Sequence, residues 1–143
     1  MNAKIREMKL NDLNSVMEIE MKLFRSPWTE AMFIKEIEDQ YSFVLENTKK
    51  IIGYICGWKI LDEFTITNVA VEPNFQKKGF GKKIVEFIIN RAKKVKCNNI
   101  FLEVRESNIV AIKMYVGLGF SKIGFRKNYY PNPKENAIVM RRK

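Results

Sequence analysis

Apolar residues recur at intervals of three and four in four parts of the chain, the spacing that places them on one face of a helix. The first helix is predicted over Leu10–Phe24, and the second begins after Thr29, which suits an N-cap position. The longest is predicted over Gly79–Lys96 and the last over Ile109–Leu118. The first helix is expected to bury Leu13, Val16, Met17, Met21 and Phe24.

Between the helices, apolar and β-branched residues gather in short runs separated by polar turns, which predicts strands. Seven strands are expected: Lys4–Met8, Phe43–Glu46, Ile51–Ile60, Phe64–Val71, Asn99–Val104, Phe120–Tyr129 and Asn136–Arg141. Helical crossovers in the second half require parallel pairing, while the hairpins require antiparallel pairing. We therefore expect an α/β fold with a mixed, mostly antiparallel central sheet and helices on both faces.

The length of 143 residues fits one domain, and the composition is that of a globular protein. A single domain over residues 1–143 is therefore expected. Uncharged apolar runs stop at about eight residues, as in Ile51–Trp58, and charged residues interrupt the first ten positions. Neither a membrane span nor a signal sequence is expected, and the predicted location is the cytoplasm.

Side-chain chemistry narrows the possible reactions. The chain has no histidine, which excludes Ser-His-Asp and Cys-His nucleophilic sites as well as histidine zinc sites. Cys56 and Cys97 match no metal or redox spacing, so we expect reduced core thiols and no metal. The net charge of +10 suits a polyanionic partner such as nucleic acid, a ribosomal surface or a phosphorylated cofactor, or else reflects codon bias.

A glycine-containing loop precedes the longest helix, with the sequence Gln76-Lys77-Lys78-Gly79-Phe80-Gly81-Lys82. Glycines before a helix let backbone N–H groups converge, and the helix start adds partial positive charge, so the loop is a candidate anion site. A Walker loop requires Ser or Thr at the position of Lys83, and a dinucleotide fingerprint requires glycine at the position of Ile84, so the segment matches neither motif. From these residues alone, ordinary turn chemistry explains the glycines equally well.

The segment Asn68-Val69-Ala70-Val71-Glu72-Pro73, followed by Gln76-x-x-Gly79-x-Gly81, resembles the acyl-CoA-binding segment of the GNAT superfamily of N-acetyltransferases. The element order resembles that superfamily over nearly the whole chain. The resemblance implies the acyl-CoA N-acyltransferase (GNAT) fold and acetyl-CoA as co-substrate, with a strand edge on the pantetheine arm and loop amides on the pyrophosphate. The implied contacts are Val69, Ala70, Val71, Gln76, Lys77, Lys78, Gly79, Phe80, Gly81 and Lys82.

Glu103, near a strand end, and Tyr115, within a helix, are candidates for proton transfer, because amine acetylation needs a proton acceptor and a donor. From position alone, the more common roles are solvation of Glu103 or its pairing with a basic neighbour such as Arg105, and core packing of Tyr115. Five motifs resemble those of the RimI branch of the superfamily: Ser26-Pro27-Trp28-Thr29, Leu102-Glu103-Val104-Arg105-x-Ser107-Asn108, Ala111-Ile112-x-x-Tyr115-x-x-Leu118-Gly119-Phe120, Arg126-x-Asn128-Tyr129-Tyr130-Pro131 and Ala137-Ile138-Val139-Met140. This resemblance implies that Glu103 accepts a proton, that Tyr115 donates one, and that Asn108, also a candidate N-cap, contacts acetyl-CoA.

RimI proteins acetylate the N-terminal alanine of a small-subunit ribosomal protein, and the resemblance implies that substrate here. Direct transfer in a ternary complex is predicted, because neither cysteine belongs to the matched motifs. Trp28, together with Tyr129 and Tyr130 in a proline-containing turn, is a candidate wall for an extended N-terminal peptide. The alternative is that these aromatic side chains plug the sheet edge.

Two further functions remain open from the sequence. One is acetylation of other protein N-termini, of lysines or of small amines by the same fold. The other is a catalytically silent basic module that binds RNA or the ribosome, which the net charge of +10 favours. No DNA or membrane partner is expected, and the predicted state is a monomer or weak dimer.

Overall fold

The computed structural model describes residues 3–143, which form seven strands and four helices in the predicted order. The strands are β1 (Ala3–Glu7), β2 (Ser42–Asn47), β3 (Lys50–Ile60), β4 (Glu63–Val71), β5 (Asn99–Arg105), β6 (Ser121–Pro131) and β7 (Lys134–Arg142). The helices are α1 (Leu13–Leu23), α2 (Glu30–Glu38), α3 (Phe80–Lys94) and α4 (Ile109–Gly117). Thr29 caps α2 as predicted, because its hydroxyl accepts a hydrogen bond from the Met32 N–H at 3.2 Å.

The strands form one sheet in the order β1-β2-β3-β4-β5-β7-β6. Neighbouring strands pair antiparallel except β4 and β5, which are parallel because α3 returns the chain to the end of the sheet where β4 began. These two strands pair only through Glu63–Thr65 and Asn99–Phe101, and beyond that point their pairing stops. The predicted mixed, mostly antiparallel sheet is confirmed, and the separation of β4 from β5 opens a cleft in its centre.

Helices cover both faces of the sheet, as predicted. α1 and α2 pack on one face through a cluster that includes the fully buried Val16 and Tyr54. α3 covers the other face with Ile84 and Ile88, and α4 adds Tyr115 to the same cluster. A buried aliphatic side chain contributes about 1.5–3 kcal/mol to folding, so these clusters hold the helices in place beside the cleft. No helix within residues 3–143 has the length and apolar character needed to cross a membrane.

The buried face of α1 differs from the predicted stripe. Leu13 and Val16 are buried, but Met21 is 66% exposed and Phe24 is 36% exposed. Glu20 takes the inward position instead, because its carboxylate accepts hydrogen bonds from side chains of the sheet. The prediction for Met21 and Phe24 was therefore wrong, since apolar spacing alone does not register a charged residue that finds partners inside.

The proline-containing turn predicted around Tyr129 and Tyr130 is mostly strand. β6 continues through Pro131, which pairs with Lys134. The turn itself is reduced to residues 132–133. Tyr129 and Tyr130 therefore belong to β6. Tyr130 pairs with Glu135 of β7, whereas Tyr129 lies in an irregular stretch between Arg126 and Tyr130 where the register shifts.

Candidate active site

The cleft between β4 and β5 offers a free strand edge. β4 pairs with β3 as far as Val71, but with β5 only as far as Thr65, so its later residues have backbone groups open on the cleft side. Val69, Ala70 and Val71 lie on this open segment. An extended ligand with amide groups pairs with such an edge as an added strand does. These residues therefore fit the pantetheine arm of acetyl-CoA.

The loop after β4 has a backbone that suits an anion. Lys77 and Gly79 have positive φ angles of 62° and 87°, and α3 begins at Phe80 directly afterwards. Left-handed residues next to right-handed ones turn neighbouring N–H groups toward one side. The first-turn N–H groups of α3, those of residues 80–82, have no acceptor within the helix and lie at the positive end of its dipole. The loop therefore fits a diphosphate.

The lysines of the loop differ in where they point. Lys77, Lys78 and Lys82 are exposed and add positive charge around the loop. Lys83 is directed away, because its Nζ donates a hydrogen bond to the carbonyl of Ala3 at 2.8 Å. The positive charge available to an anion at the loop is therefore that of the first three lysines.

Two other loop residues engage the fold with their side chains. Gln76 donates a hydrogen bond from Nε2 to the Val71 carbonyl at 3.0 Å, which ties the loop to the end of β4. The Phe80 ring packs near Phe75, with ring centroids 6.3 Å apart. Their side chains therefore brace the loop, and their contribution to an anion site comes from the backbone.

Glu103 lies in the part of β5 that has separated from β4. Its neighbours on either side face the core under α3, so the Glu103 side chain points to the opposite face of the sheet. Its carboxylate forms an ion pair with Nε of Arg126 in β6. Arg105, which the sequence offered as a partner, instead pairs with Glu135 at 3.1 Å.

Tyr129 and Tyr130 lie beside Glu103. Burial, the negative charge of Glu103 and contact between the hydroxyl and that carboxylate raise the pKa of Tyr129. Burial and the same charge raise the pKa of Tyr130 to about 12. The two rings meet edge to face with centroids 5.1 Å apart, and Tyr129 is 49% exposed. Tyr129 therefore faces solvent, while Tyr130 lies deeper.

Tyr115 is buried in α4, with its ring 5.7 Å from that of Phe120. Burial, with a smaller effect from Tyr130, raises the pKa of Tyr115 well above its ordinary value, so the hydroxyl keeps its proton at neutral pH. Tyr130 interacts electrostatically with both Glu103 and Tyr115. Tyr130 is therefore near both residues predicted for proton transfer.

Asn108 begins the helix that carries Tyr115. Its Oδ1 accepts a hydrogen bond from the Ala111 N–H at 3.2 Å, which confirms the predicted N-cap. The residue itself is exposed, so the amide nitrogen of its side chain stays available to a ligand at the helix start. Asn108 can therefore cap the helix and contact a ligand at once.

Glu20 links Trp28 to β4 through hydrogen bonds. The spacing of apolar residues did not predict this buried carboxylate. The Trp28 N–H donates to Glu20 Oε2 at 2.8 Å. Glu20 Oε1 accepts hydrogen bonds from the Tyr54 hydroxyl at 2.6 Å and from Asn68 Nδ2 at 2.9 Å. The available signal was an acidic residue four positions after Val16, on the inward side of an apolar helix.

Both cysteines are buried free thiols, as predicted. Burial raises the pKa of Cys56 to about 12. Within residues 3–143, histidine, cysteine, aspartate and glutamate side chains form no group of three or more that would hold a metal ion. The groups at the cleft are therefore a carboxylate, tyrosine hydroxyls and backbone amides.

The chain is similar to known proteins over most of its length. The chain matches the acetyltransferase (GNAT) family over residues 13–120. It is 34% identical over 139 residues to the ribosomal protein bS18-alanine N-acetyltransferase of Escherichia coli K12, covering 95% of this chain and 94% of that protein. It is 36% identical over 133 residues to the protein of the same name from Haemophilus ducreyi, covering 90% and 92% respectively.

Solved structures agree with this relationship. The crystal structure of the ribosomal-protein-S18-alanine N-acetyltransferase from Escherichia coli matches with a TM-score of 0.92 and 33% identity, over 99% of this chain and 93% of that one. Ard1 from Thermoplasma volcanium matches with a TM-score of 0.93 and 26% identity, over 99% and 97%. The chain therefore belongs to the GNAT family of acetyltransferases, acyltransferases that use acetyl-CoA as co-substrate.

Proposed function

We propose that this chain transfers an acetyl group from acetyl-CoA to the N-terminal α-amine of a protein, and that its substrate is the N-terminal alanine of ribosomal protein bS18. The observation that carries the proposal is the identity of 34% and 36% to two bS18-alanine N-acetyltransferases over at least 90% of each chain. The position of Tyr130 near both Glu103 and Tyr115 supports it, because the reaction needs a proton acceptor and a donor. The chain works as one N-acetyltransferase domain over residues 1–143.

The acetyl-CoA site is assigned to the open edge of β4 and the loop before α3. Residues 69–71 present the edge, the amides of residues 77–82 hold the diphosphate, and Asn108 contacts the ligand from the start of α4. When bound, acetyl-CoA supplies the acetyl thioester. The task of the chain is to orient that thioester beside Glu103.

Glu103 accepts a proton from the amine, and Tyr115 protonates the departing sulfur. An α-amine with a pKa of about 7.7–8.0 is roughly 10–20% neutral near pH 7.2, whereas a lysine amine is neutral at only about 10⁻³. An N-terminal amine therefore needs less help from a base to lose its proton than a lysine amine does, and a single carboxylate is sufficient. The Tyr115 hydroxyl carries its proton at neutral pH and can give it to the sulfur as the thiolate leaves.

Transfer is direct, with both substrates bound together, and neither cysteine carries the acetyl group. Cys56 is fully buried, and burial raises its pKa to about 12, which keeps its thiol protonated and unreactive. The double variant Cys56→Ala, Cys97→Ala should therefore retain the wild-type kcat. Acetyl transfer to the alanine peptide measures this, and loss of turnover in a folded double variant would rule out direct transfer.

The protein acceptor lies between Trp28 on one side and Tyr129 and Tyr130 on the other. Trp28 is held to β4 by Glu20, and Tyr129 is half exposed beside Glu103, so both sides border the amine-binding end of the cleft. Because the proposed substrate is a ribosomal protein, we place the reaction in the cytoplasm, with no DNA or membrane partner. The protein acts as a monomer or weak dimer.

A peptide panel tests the proposal. Release of the CoA thiol is measured with peptides that begin with Ala, Ser or Met and with an N-terminally blocked peptide that carries one internal lysine. The peptide with the bS18 N-terminus should give the highest kcat/KM, and the lysine peptide should react about 10²-fold more slowly, following the neutral fractions of the two amines. Equal reaction of the lysine peptide would favour a lysine or small-amine acetyltransferase.

The same panel distinguishes the silent-module alternative. If no amine consumes the thioester while the protein binds ribosomal RNA, the basic binding module is correct. In cells, mass spectrometry of ribosomal-protein N-termini with and without this protein should show loss of the acetyl group from bS18. Unchanged acetylation of bS18 would contradict the proposed substrate even if peptides react in vitro.

A further inference from the structure

Arg105 lies at the end of β5, two residues beyond Glu103 and on the same face of the sheet. Its guanidinium crosses to the turn between β6 and β7. Nη1 donates a hydrogen bond to the Pro133 carbonyl at 3.0 Å, and Nη2 donates to the Asn132 carbonyl at 2.9 Å. The same group lies over the Tyr130 ring, 4.4 Å from its centroid. Arg105 therefore holds both residues of the turn and one tyrosine of the proposed acceptor wall.

Glu135 links this arrangement to the start of α4. Its Oε1 accepts a hydrogen bond from Arg105 Nη1 at 3.1 Å, and its Oε2 accepts one from the Ser107 N–H at 2.7 Å. Hydrogen bonding with Ser107, together with the positive charge of Arg105, holds the pKa of Glu135 below its ordinary value. Ser107 directly precedes Asn108, the cap of α4. The connection from β5 to α4 and the β6–β7 hairpin therefore meet at one ion pair.

We propose that Arg105 is a positioning residue for the protein acceptor, which fixes the β6–β7 turn and Tyr130 relative to Glu103 so that the incoming N-terminus meets a preformed wall. The inference rests on the proposed function and deepens it, because neither the proton-transfer roles nor the acetyl-CoA contacts require Arg105. Its effect should therefore fall on the peptide, while the thioester side of the cleft is left intact.

The side-chain type matters at this position. A guanidinium is planar, carries five N–H donors and has a flat face that stacks on aromatic rings. Arg105 uses these properties together, since it reaches two carbonyls and a carboxylate while covering the Tyr130 ring. A lysine ammonium keeps the charge but has neither the fork nor the flat face. Arg105→Lys is therefore a sharper test than removal of the charge.

The test compares Arg105→Lys and Arg105→Met with Lys122→Met, a matched loss of one cation at an exposed position of β6. Initial rates are measured with the alanine peptide and with alaninamide, an acceptor too short to reach the turn. Both Arg105 variants should raise KM for the peptide about tenfold, while kcat and KM for acetyl-CoA stay within about twofold. Rates with alaninamide should not change, and Lys122→Met should match wild type with both acceptors.

Three outcomes would overturn the inference. One is a peptide KM within about twofold of wild type in both Arg105 variants. Another is an equal loss with peptide and alaninamide, because that pattern marks general damage to the site. The third is that the wild-type protein turns over no N-terminal peptide. This result would contradict the proposed function as well, and it is distinguishable because the wild-type protein lacks activity along with the variants. Thermal denaturation of each variant verifies that the assayed protein is folded.

Discussion

The Glu103 carboxylate has the same shape as the amide of glutamine, so Glu103→Gln removes a proton acceptor while preserving the outline of the site. We expect kcat to fall about 10²–10⁴-fold, the contribution of a general base. Tyr115→Phe should also lower kcat, because it removes only the hydroxyl of a buried ring. KM for acetyl-CoA should stay within about twofold in both variants, as measured by initial rates at varied acetyl-CoA.

Tyr41→Phe is the matched control for the tyrosine. Tyr41 packs edge to face on Phe64 with ring centroids 5.4 Å apart, and it lies outside the cluster around Glu103. Removing its hydroxyl should leave kcat unchanged. If Glu103→Gln and Tyr115→Phe both turn over as fast as wild type, the assignment of the proton acceptor and donor is wrong.

The thiol of Cys56 gives a pH dependence of stability with a definite sign. Burial raises its pKa from 9.0 to about 12, so the folded protein holds the proton more tightly than the unfolded chain does. Its contribution to the free energy of unfolding is fully present below about pH 9 and declines as pH rises toward 12, by at most about 1.4 kcal/mol per pH unit. Cys56→Ala lacks this pH dependence. The difference in free energy of unfolding between wild type and Cys56→Ala should therefore shrink above pH 9.

Urea unfolding of wild type and Cys56→Ala between pH 8 and pH 10.5 measures this change. Ile52→Val is the control, because it removes a methyl group from another fully buried position of β3 without a titrating group. Its deficit should stay constant over the same pH range. If the loss of unfolding free energy in Cys56→Ala is also constant with pH, the thiol has the same pKa in the folded and unfolded chains, and the prediction is wrong.

At the scale of elements, the loop before α3 depends on the backbone of Gly79. Its φ of 87° lies in the left-handed region, and a side chain there costs about 1–2 kcal/mol. Gly79→Ala should lower the free energy of unfolding by that amount, or shift the loop to relieve it. In either case the N–H groups at the start of α3 lose their alignment, so KM for acetyl-CoA should rise while kcat at saturation is preserved.

Gly117→Ala provides the comparison at the end of α4. An added Cβ there meets no atom within 4 Å, and its φ is not in the left-handed region. Alanine at this position should leave KM for acetyl-CoA unchanged and stabilise the helix by up to about 0.5–1 kcal/mol. A rise in KM for both glycine variants, or for neither, would contradict the role given to the loop.

The elements themselves could be read from the sequence, because each depends on spacing within a short stretch. The strand over residues 64–71 and the helix after Gly79 are visible as a β-branched run and a 3.6-residue repeat. Element ends were off by one to three residues where local hydrogen bonds decide them. The first helix, for example, begins at Leu13 because residues 10–12 form a 3-10 turn.

The connections between elements could not be predicted in the same way. Glu20 meets Tyr54 and Asn68, residues 34 and 48 positions away, and Arg105 meets Glu135, which is 30 positions away. No local pattern encodes such pairs, because they exist only once the sheet has assembled. Resemblance to a family therefore allowed the sequence to propose residues for the chemistry, but no local pattern indicated which residues hold those side chains in position.

On the scale of the whole molecule, the cleft follows from a single change in strand direction. The parallel pair β4 and β5 joins two antiparallel parts of the sheet, and its short pairing leaves a gap between them. The loop before α3 lies at the end of β4, while Glu103 and the β6–β7 hairpin belong to the other part. The loop proposed to hold acetyl-CoA and the carboxylate proposed to accept the proton therefore lie in different parts of the sheet, on either side of the place where the strands separate.

Charge is unevenly distributed along the chain. Residues 76–96, the loop with α3, contain eight lysines and arginines but only one acid, Glu86. Residues 1–72 contain 12 acids and nine lysines and arginines. Residues 97–143 add nine lysines and arginines against three acids, so the excess positive charge is shared between the α3 segment and the last third of the chain. The question is whether acetyl-CoA senses the net charge of the protein or only the lysines of the loop.

Two double variants with equal charge change answer it. Lys77→Gln with Lys78→Gln removes two exposed cations at the loop, and Lys93→Gln with Lys94→Gln removes two exposed cations from the other end of α3. The 15 residues of α3 separate the pairs by about 22 Å, well beyond the Debye length of about 8 Å at physiological salt. KM for acetyl-CoA should therefore rise about 3–10-fold for the loop pair and stay within about twofold for the distant pair.

Raising the salt to about 0.5 M should narrow the difference in KM between the loop pair and wild type, because screening weakens the lysine contribution that the variant lacks. An equal rise in KM for both pairs would mean that the overall charge attracts the co-substrate, and that the loop lysines have no special part in holding its diphosphate.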